Sequence, residues 1–102
     1  MAPSTAQIKA NALTRLVKEK KLYYQELEEH KQELERLQKQ PDSEYEVKVQ
    51  QRIVDETQRL IPTLDTKIET TLNGLKEYLA DNKDTLGEED TALIQNAIEN
   101  VK

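Results

Sequence analysis

The sequence predicts an all-α protein: an elongated antiparallel three-helix bundle with two long helices and a shorter C-terminal one. Two long apolar seams, Leu13 to Leu37 and Val49 to Leu79, recur at helical spacing. Between them Gln40-Pro41-Asp42-Ser43 is a short polar breaker. The composition agrees, with 34% charged and 35% hydrophobic residues, two Gly, three Pro, no Trp, no Phe and four Tyr among 102 residues, a balance that favours long solvated helices over strands. Each seam is too narrow to bury its apolar surface alone. The two runs therefore pack on each other, and the segment from Leu86 to Val101 supplies a third helix. At this length the chain reads as one domain, residues 1–102, short of the mass that usually houses a deep active-site cleft.

Helix one is placed at about residues 4–40. Leu13, Leu16, Lys20, Tyr23, Leu27, His30, Leu34 and Leu37 follow strict 3-4 spacing, the signature of a helix packing along a left-handed seam. Ile8 is expected to extend that seam toward the N-terminus. Arg15, Lys18, Lys21, Gln25, Glu28, Glu29 and Gln32 form the opposite, polar face. Pro41 stops the helix, because the residue before a proline disfavours the helical region and the ring has no N–H to donate.

Helix two is placed at about residues 43–80. Ser43-Glu44-Tyr45-Glu46 fits a capping box, with the Ser43 hydroxyl accepting from the Glu46 amide. The apolar positions Val49, Ile53, Thr57, Leu60, Leu64, Ile68, Leu72, Leu75 and Leu79 average about 3.75 residues per step, close to an eleven-residue repeat. Such a stripe drifts against a heptad, so the two helices are not expected to hold register as a simple coiled coil. The apolar face left over must meet the third segment or a second copy of the chain. Pro62 falls on the solvent side, about 200° around from Leu60 at about 100° per residue. Because the apolar phase continues through it, a kink with its convex face outward is expected rather than a break with Pro62 opening a new helix.

Helix three is placed at about residues 87–101, after the polar connector Asp81-Asn82-Lys83-Asp84. Either Thr85 with Glu88, or Gly87, can start it. Ile94, Ile98 and Val101, flanked by Leu93 and Ala97, form its apolar face, and Glu88-Glu89-Asp90 complement the helix dipole in its first turn.

Several function classes are disfavoured. With no Cys there is no disulfide framework and no thiolate chemistry, which suits the cytoplasm. No apolar run approaches a membrane span and the first five residues lack signal-peptide character, so the chain reads as soluble and untargeted. The net charge is -5, yet residues 1–41 carry eight Lys/Arg against six Asp/Glu, making helix one the basic element. An acidic total without a basic cluster interleaved with aromatics argues against nucleic acid. His30, the single histidine, lies in the seam and is read as a core or flank residue, and no nucleophile-base pair is present, so no enzyme is expected. The carboxylate clusters lack the Gly-centred alternation of a calcium loop, and no Gly-rich phosphate loop exists. No metal or cofactor is called for, and any action on a client should be independent of nucleotide. Binding remains. Tyr23 is read as core, whereas Tyr24 and Tyr45 stand open between packing and exposed contact.

The chain resembles the tubulin-binding cofactor A family, also called tubulin-specific chaperone A. The resemblance is carried by Ile8-Lys9, Thr14-Arg15-Leu16-Val17-Lys18-Glu19 with Tyr23, Tyr45-Glu46-Val47-Lys48 with Gln50 and Ile53, and Glu56-Thr57 ahead of Leu60-Ile61-Pro62. It spans most of residues 8–68. It implies a three-helix bundle that captures β-tubulin on the way to the α/β heterodimer and passes it to other tubulin-folding cofactors, in the cytoplasm and in association with the microtubule cytoskeleton. The residues alone support a second reading, a coiled-coil oligomerisation or scaffolding module of a larger assembly, although a pure rod gains nothing from a kink. Outward positions within the matched motifs are the candidate partner contacts: Arg15, Lys18, Tyr45, Lys48 and Pro62, with Lys21 and Arg52 beside them. The basic face Arg15, Lys18 and Lys21 would steer an acidic client. Oligomeric state stays open between monomer and homodimer.

Overall fold

A computed structural model describes residues 3–101, which form three α-helices and no strand: α1 Thr5–Gln38, α2 Glu44–Asp81 and α3 Glu88–Glu99. The all-α three-helix bundle expected from the sequence is the fold. α1 opens on a capping box at Ser4-Thr5-Ala6-Gln7. The Gln7 amide donates to Ser4 Oγ at 3.1 Å and the Ser4 amide donates to Gln7 Oε1 at 2.9 Å, so two orphan donors are satisfied reciprocally. Ser4 Oγ also lies 3.5 Å from Asp90 Oδ1, which sets the first turn of α3 beside that of α1.

The box expected at Ser43 does not form. Asp42 takes the left-handed region with φ 60°, a conformation that short polar side chains tolerate. The buried Ser43 hydroxyl turns back toward α1 and shares its proton between the carbonyls of Leu37 at 2.5 Å and Gln40 at 2.8 Å. It therefore closes the end of α1 rather than the start of α2, and Glu46 is left exposed. Ser43→Ala is expected to cost about 1 kcal/mol by removing the hydroxyl that ties both carbonyls together, while Glu46→Ala stays within about 0.5 kcal/mol. Urea unfolding of both variants checks this, and equal losses would restore the capping box.

α2 runs without interruption through Pro62, so the alternative in which a new helix starts there is discarded. Beyond its end, Asn82 Nδ2 donates to the Tyr78 carbonyl at 2.9 Å, and the amides of Thr85 and Leu86 donate to the Asn82 carbonyl, each at 3.0 Å. Gly87, not Thr85, is the N-cap of α3, since the Thr85 hydroxyl is committed to the Asn82 carbonyl.

The buried stripe of α2 corrects the expected seam. Val47, Gln50, Val54, Thr57, Ile61, Leu64, Ile68, Leu72 and Leu75 face inward on 3-4 spacing, Val47 and Leu72 only half-buried, a heptad like that of α1, whereas Val49 is 40% and Leu60 45% exposed. The eleven-residue drift and the expected loss of register with α1 are therefore both wrong. A similar correction applies at the start of α1. Stepping back from Leu13 by three and then four residues reaches Ala10 and Ala6, both buried, while Ile8 is 57% exposed.

The chain divides into two compact units, one of residues up to Glu19 with those from Asp65, the other Lys20–Leu64. In the first, all three helices contribute: Ala6, Ala10, Leu13, Ile68, Leu75, Ile94 and Ala97 form the core, with Leu13 and Ile94 fully buried. Small residues at 6, 10 and 97 let the helix backbones approach closely. In the second unit only α1 and α2 contribute, and Leu27, Leu34, Val54 and Ile61 form the core, with Tyr23 and Val47 against it. Buried Gln50 donates to the His30 carbonyl at 3.0 Å, a satisfied polar pair of the kind that fixes helix register.

Candidate functional site

Among the described residues no group of His, Cys, Asp and Glu could hold a metal ion, and no helix is long and apolar enough to cross a membrane. The informative surface is a second stripe on α2. Tyr45 is 76% exposed, and at about 100° per residue Val49 and Leu60 project within about 60° of it, with half-buried Ile53 along the inner edge. From Tyr45 to Leu60 the stripe is about 22 Å long at about 1.5 Å per residue. Of the large hydrophobic side chains exposed among the described residues, Leu22, Tyr24, Tyr45, Val49 and Leu60 all belong to the two-helix unit, and only Ile8 to the other.

A basic edge runs along this stripe. Lys48, Arg52 and Arg59 are exposed and project within about 40° of one another. With Gln51, Asp55 and Glu56 they line an open hollow of about 410 Å³. Gln51 Nε2 donates to Asp55 Oδ1 at 3.0 Å, and among the described residues no ion pair reaches any of the three cations. Two ion pairs lie instead at the C-terminal end of α1 and just past it, between Glu33 and Arg36 and between Glu35 and Lys39. The hydrogen bond from Arg36 holds the Glu33 carboxyl below its usual range, but the pair is solvent-exposed and adds little to stability.

All seven candidate contacts are exposed. Tyr45, Lys48 and Arg52 come together on the first turns of α2, Tyr45 in the stripe and Lys48 and Arg52 along its edge. Pro62 lies about 80° around α2 from Arg52. Lys21 falls in the same two-helix unit, and Arg15 and Lys18 fall in the other. Sequence reasoning missed Val49 and Leu60, which it had assigned to the seam, and Arg59. The signal was present in the averaged spacing of about 3.75, which arises when a heptad seam and an eleven-residue stripe are counted as one.

Of the remaining aromatic and titratable candidates, Tyr23, Tyr78 and His30 are structural. Tyr23 packs on the second core, as expected, and Tyr78 on the first, with the Lys9 ammonium 5.3 Å from its ring centroid. Tyr24 is 49% exposed, with Lys20 Nζ 5.7 Å from its ring centroid. His30 is half-buried in the seam and its carbonyl accepts from Gln50.

A family model described as Tubulin binding cofactor A matches residues 1–101, and so takes in α3 as well as the hairpin. The chain is similar to the Tubulin-specific chaperone A of Saccharomyces cerevisiae, 36% identical over 99 residues, which cover 96% of this chain and 91% of that protein. It is 30% identical to the proteins of the same name from Rattus norvegicus and Oryctolagus cuniculus, over 76% of this chain and 72% of each relative. No solved structure matches the chain.

Proposed function

The chain belongs to the tubulin binding cofactor A family, and from that premise we propose that it is a cochaperone that holds a β-tubulin monomer or folding intermediate and passes it toward α/β heterodimer assembly, alongside other tubulin-folding cofactors. It is a binding protein rather than an enzyme. The observation that supports a holding role is the apolar stripe of α2 left in solvent beside cations that make no ion pair among the described residues. A folding intermediate offers apolar surface that must be covered reversibly, and an exposed stripe with a charged edge meets that need without a closed pocket.

The proposed holding step needs no nucleotide, a reading that the acidic first turn of α3 supports. Gly74 lies inside α2 and Gly87 caps α3, whose first turn holds Glu88, Glu89 and Asp90, so that helix N-terminus repels a phosphate. The proposed location is the cytoplasm, in association with the microtubule cytoskeleton.

The test is capture from cell extract by purified protein. β-Tubulin free of α-tubulin is expected, in equal amount before and after enzymatic removal of nucleotides. Recovery of the intact heterodimer, or a requirement for nucleotide, would refute the reading. Reversing Arg15, Lys18 and Lys21 to Glu, or Lys48 and Arg52 to Glu, is expected to slow association with purified β-tubulin at low salt. The loss should shrink as salt is raised, since charge steering is screened over about 8 Å at physiological ionic strength. A set whose reversal leaves the on-rate unchanged is removed from the binding surface.

A further inference from the structure

We propose that the Tyr45–Leu60 face of α2 receives a single amphipathic helix of the client, one whose apolar stripe is bordered by carboxylates. The inference rests on the client-holding function above and states what chemistry the client presents. In the first unit α3 completes a three-helix core with α1 and α2, whereas in the second unit only α1 and α2 contribute. The outer apolar side chains Tyr45, Val49 and Leu60 of that second unit are left in solvent. A helix laid along them would cover the outer face of α2, turned about 120° from the seam that packs on α1.

The spacing selects a helix over an extended segment. Tyr45, Val49, Ile53 and Leu60 share one helical face over about four turns, interrupted by exposed Glu56 between Ile53 and Leu60, so a partner helix of similar length spans all four. An extended segment docks chiefly by backbone hydrogen bonds to a sheet edge, and the described residues form no strand to offer one. Charge then selects the helix. Lys48, Arg52 and Arg59 lie along one edge, without ion pairs among the described residues, in a chain whose net charge is -5. Their complement is an acidic edge on the incoming helix. The same edge disfavours a second copy, because a two-fold antiparallel pairing along this stripe sets basic edge against basic edge.

The test titrates the full chain with synthetic helical peptides that share one apolar stripe, bordered by Glu in one, by Lys in the second, and scrambled in the third. Backbone amide shifts are followed by NMR. The Glu-bordered peptide is expected to bind and to shift amides at 45–60. Val49→Asp, Leu60→Glu and the pair Lys48→Glu with Arg52→Glu should each weaken it at least tenfold, with helicity retained because every altered side chain is exposed. Ile8→Asp, on the other unit, should not. Equal binding of the Lys-bordered peptide, shifts confined to other residues, or self-association that Val49→Asp abolishes would each overturn the proposal, the last by showing a second copy as the occupant. β-Tubulin capture by the same variants separates the two claims. Capture by wild type that survives Val49→Asp overturns the helix-receiving face and leaves the client function standing. Absence of capture by wild type, with the Glu-bordered peptide still bound at 45–60, overturns the client function and supports the face.

Discussion

Ile94→Ala is expected to destabilise the protein by about 2–5 kcal/mol, the range for emptying a fully buried aliphatic site. Domains of this size have about 5–15 kcal/mol in total, so the variant should melt far below wild type. Ile94 has no exposed surface and sits in a core to which α1, α2 and α3 all contribute, among Ala6, Ala10, Leu13, Ile68 and Leu75. Three of the seven residues of that core are alanines, which cannot reach into the cavity, and this argues for the upper half of the range. Ile98 belongs to the same apolar face of α3 but is only half-buried. Ile98→Ala should therefore cost clearly less, and Val49→Ala, on the exposed stripe, should stay within about 0.5 kcal/mol. Urea unfolding followed by circular dichroism gives all three values. A larger loss at Ile98 than at Ile94 would mean that α3 is rotated on its axis.

The three helices were legible because their signals are local and redundant: heptad spacing in α1, Pro41 between the long helices, and the polar connector after Asp81. Packing along α2 was not legible. Its true seam spends two positions on Gln50 and Thr57, while Val49 and Leu60 lie outside it, so a reading by hydrophobicity prefers the outer stripe. What brings Gln50 inward is a partner twenty residues earlier in the chain, the His30 carbonyl, and no local pattern reports such a pair. Ser43 teaches the same lesson on a smaller scale. Its sequence allows a cap forward or backward, and the positive φ at Asp42 accompanies the backward choice. At the candidate site, Tyr45 and Lys48 were found through motif resemblance, and Arg52 as their neighbour on the same face. Val49 and Leu60 were hidden because apolar side chains at helical spacing are more often core than contact.

Pro62→Ala is expected to raise stability by about 2 kcal/mol, the largest gain available from one exposed position. Proline inside a helix costs about 3 kcal/mol relative to alanine, through the missing N–H and the clash of its ring with the carbonyl four residues earlier, here that of Gln58. Alanine returns the donor and removes the clash. The replacement also gives conformational freedom back to the unfolded chain, which offsets about 0.4–1 kcal/mol of the gain. Little packing is lost, since Pro62 is exposed between buried Ile61 and Leu64. The midpoint of urea unfolding should therefore rise with an unchanged slope. A fall would mean that the turn around Pro62 depends on the ring's fixed φ. Capture of β-tubulin by the same variant is the functional half of the test. If capture weakens while stability rises, Pro62 is kept at a cost to the helix for the sake of the bound state, the expected sign of a contact residue. If capture is unchanged, Pro62 leaves the set of candidate contacts, and the binding surface contracts to the stripe and basic edge of residues 45–60.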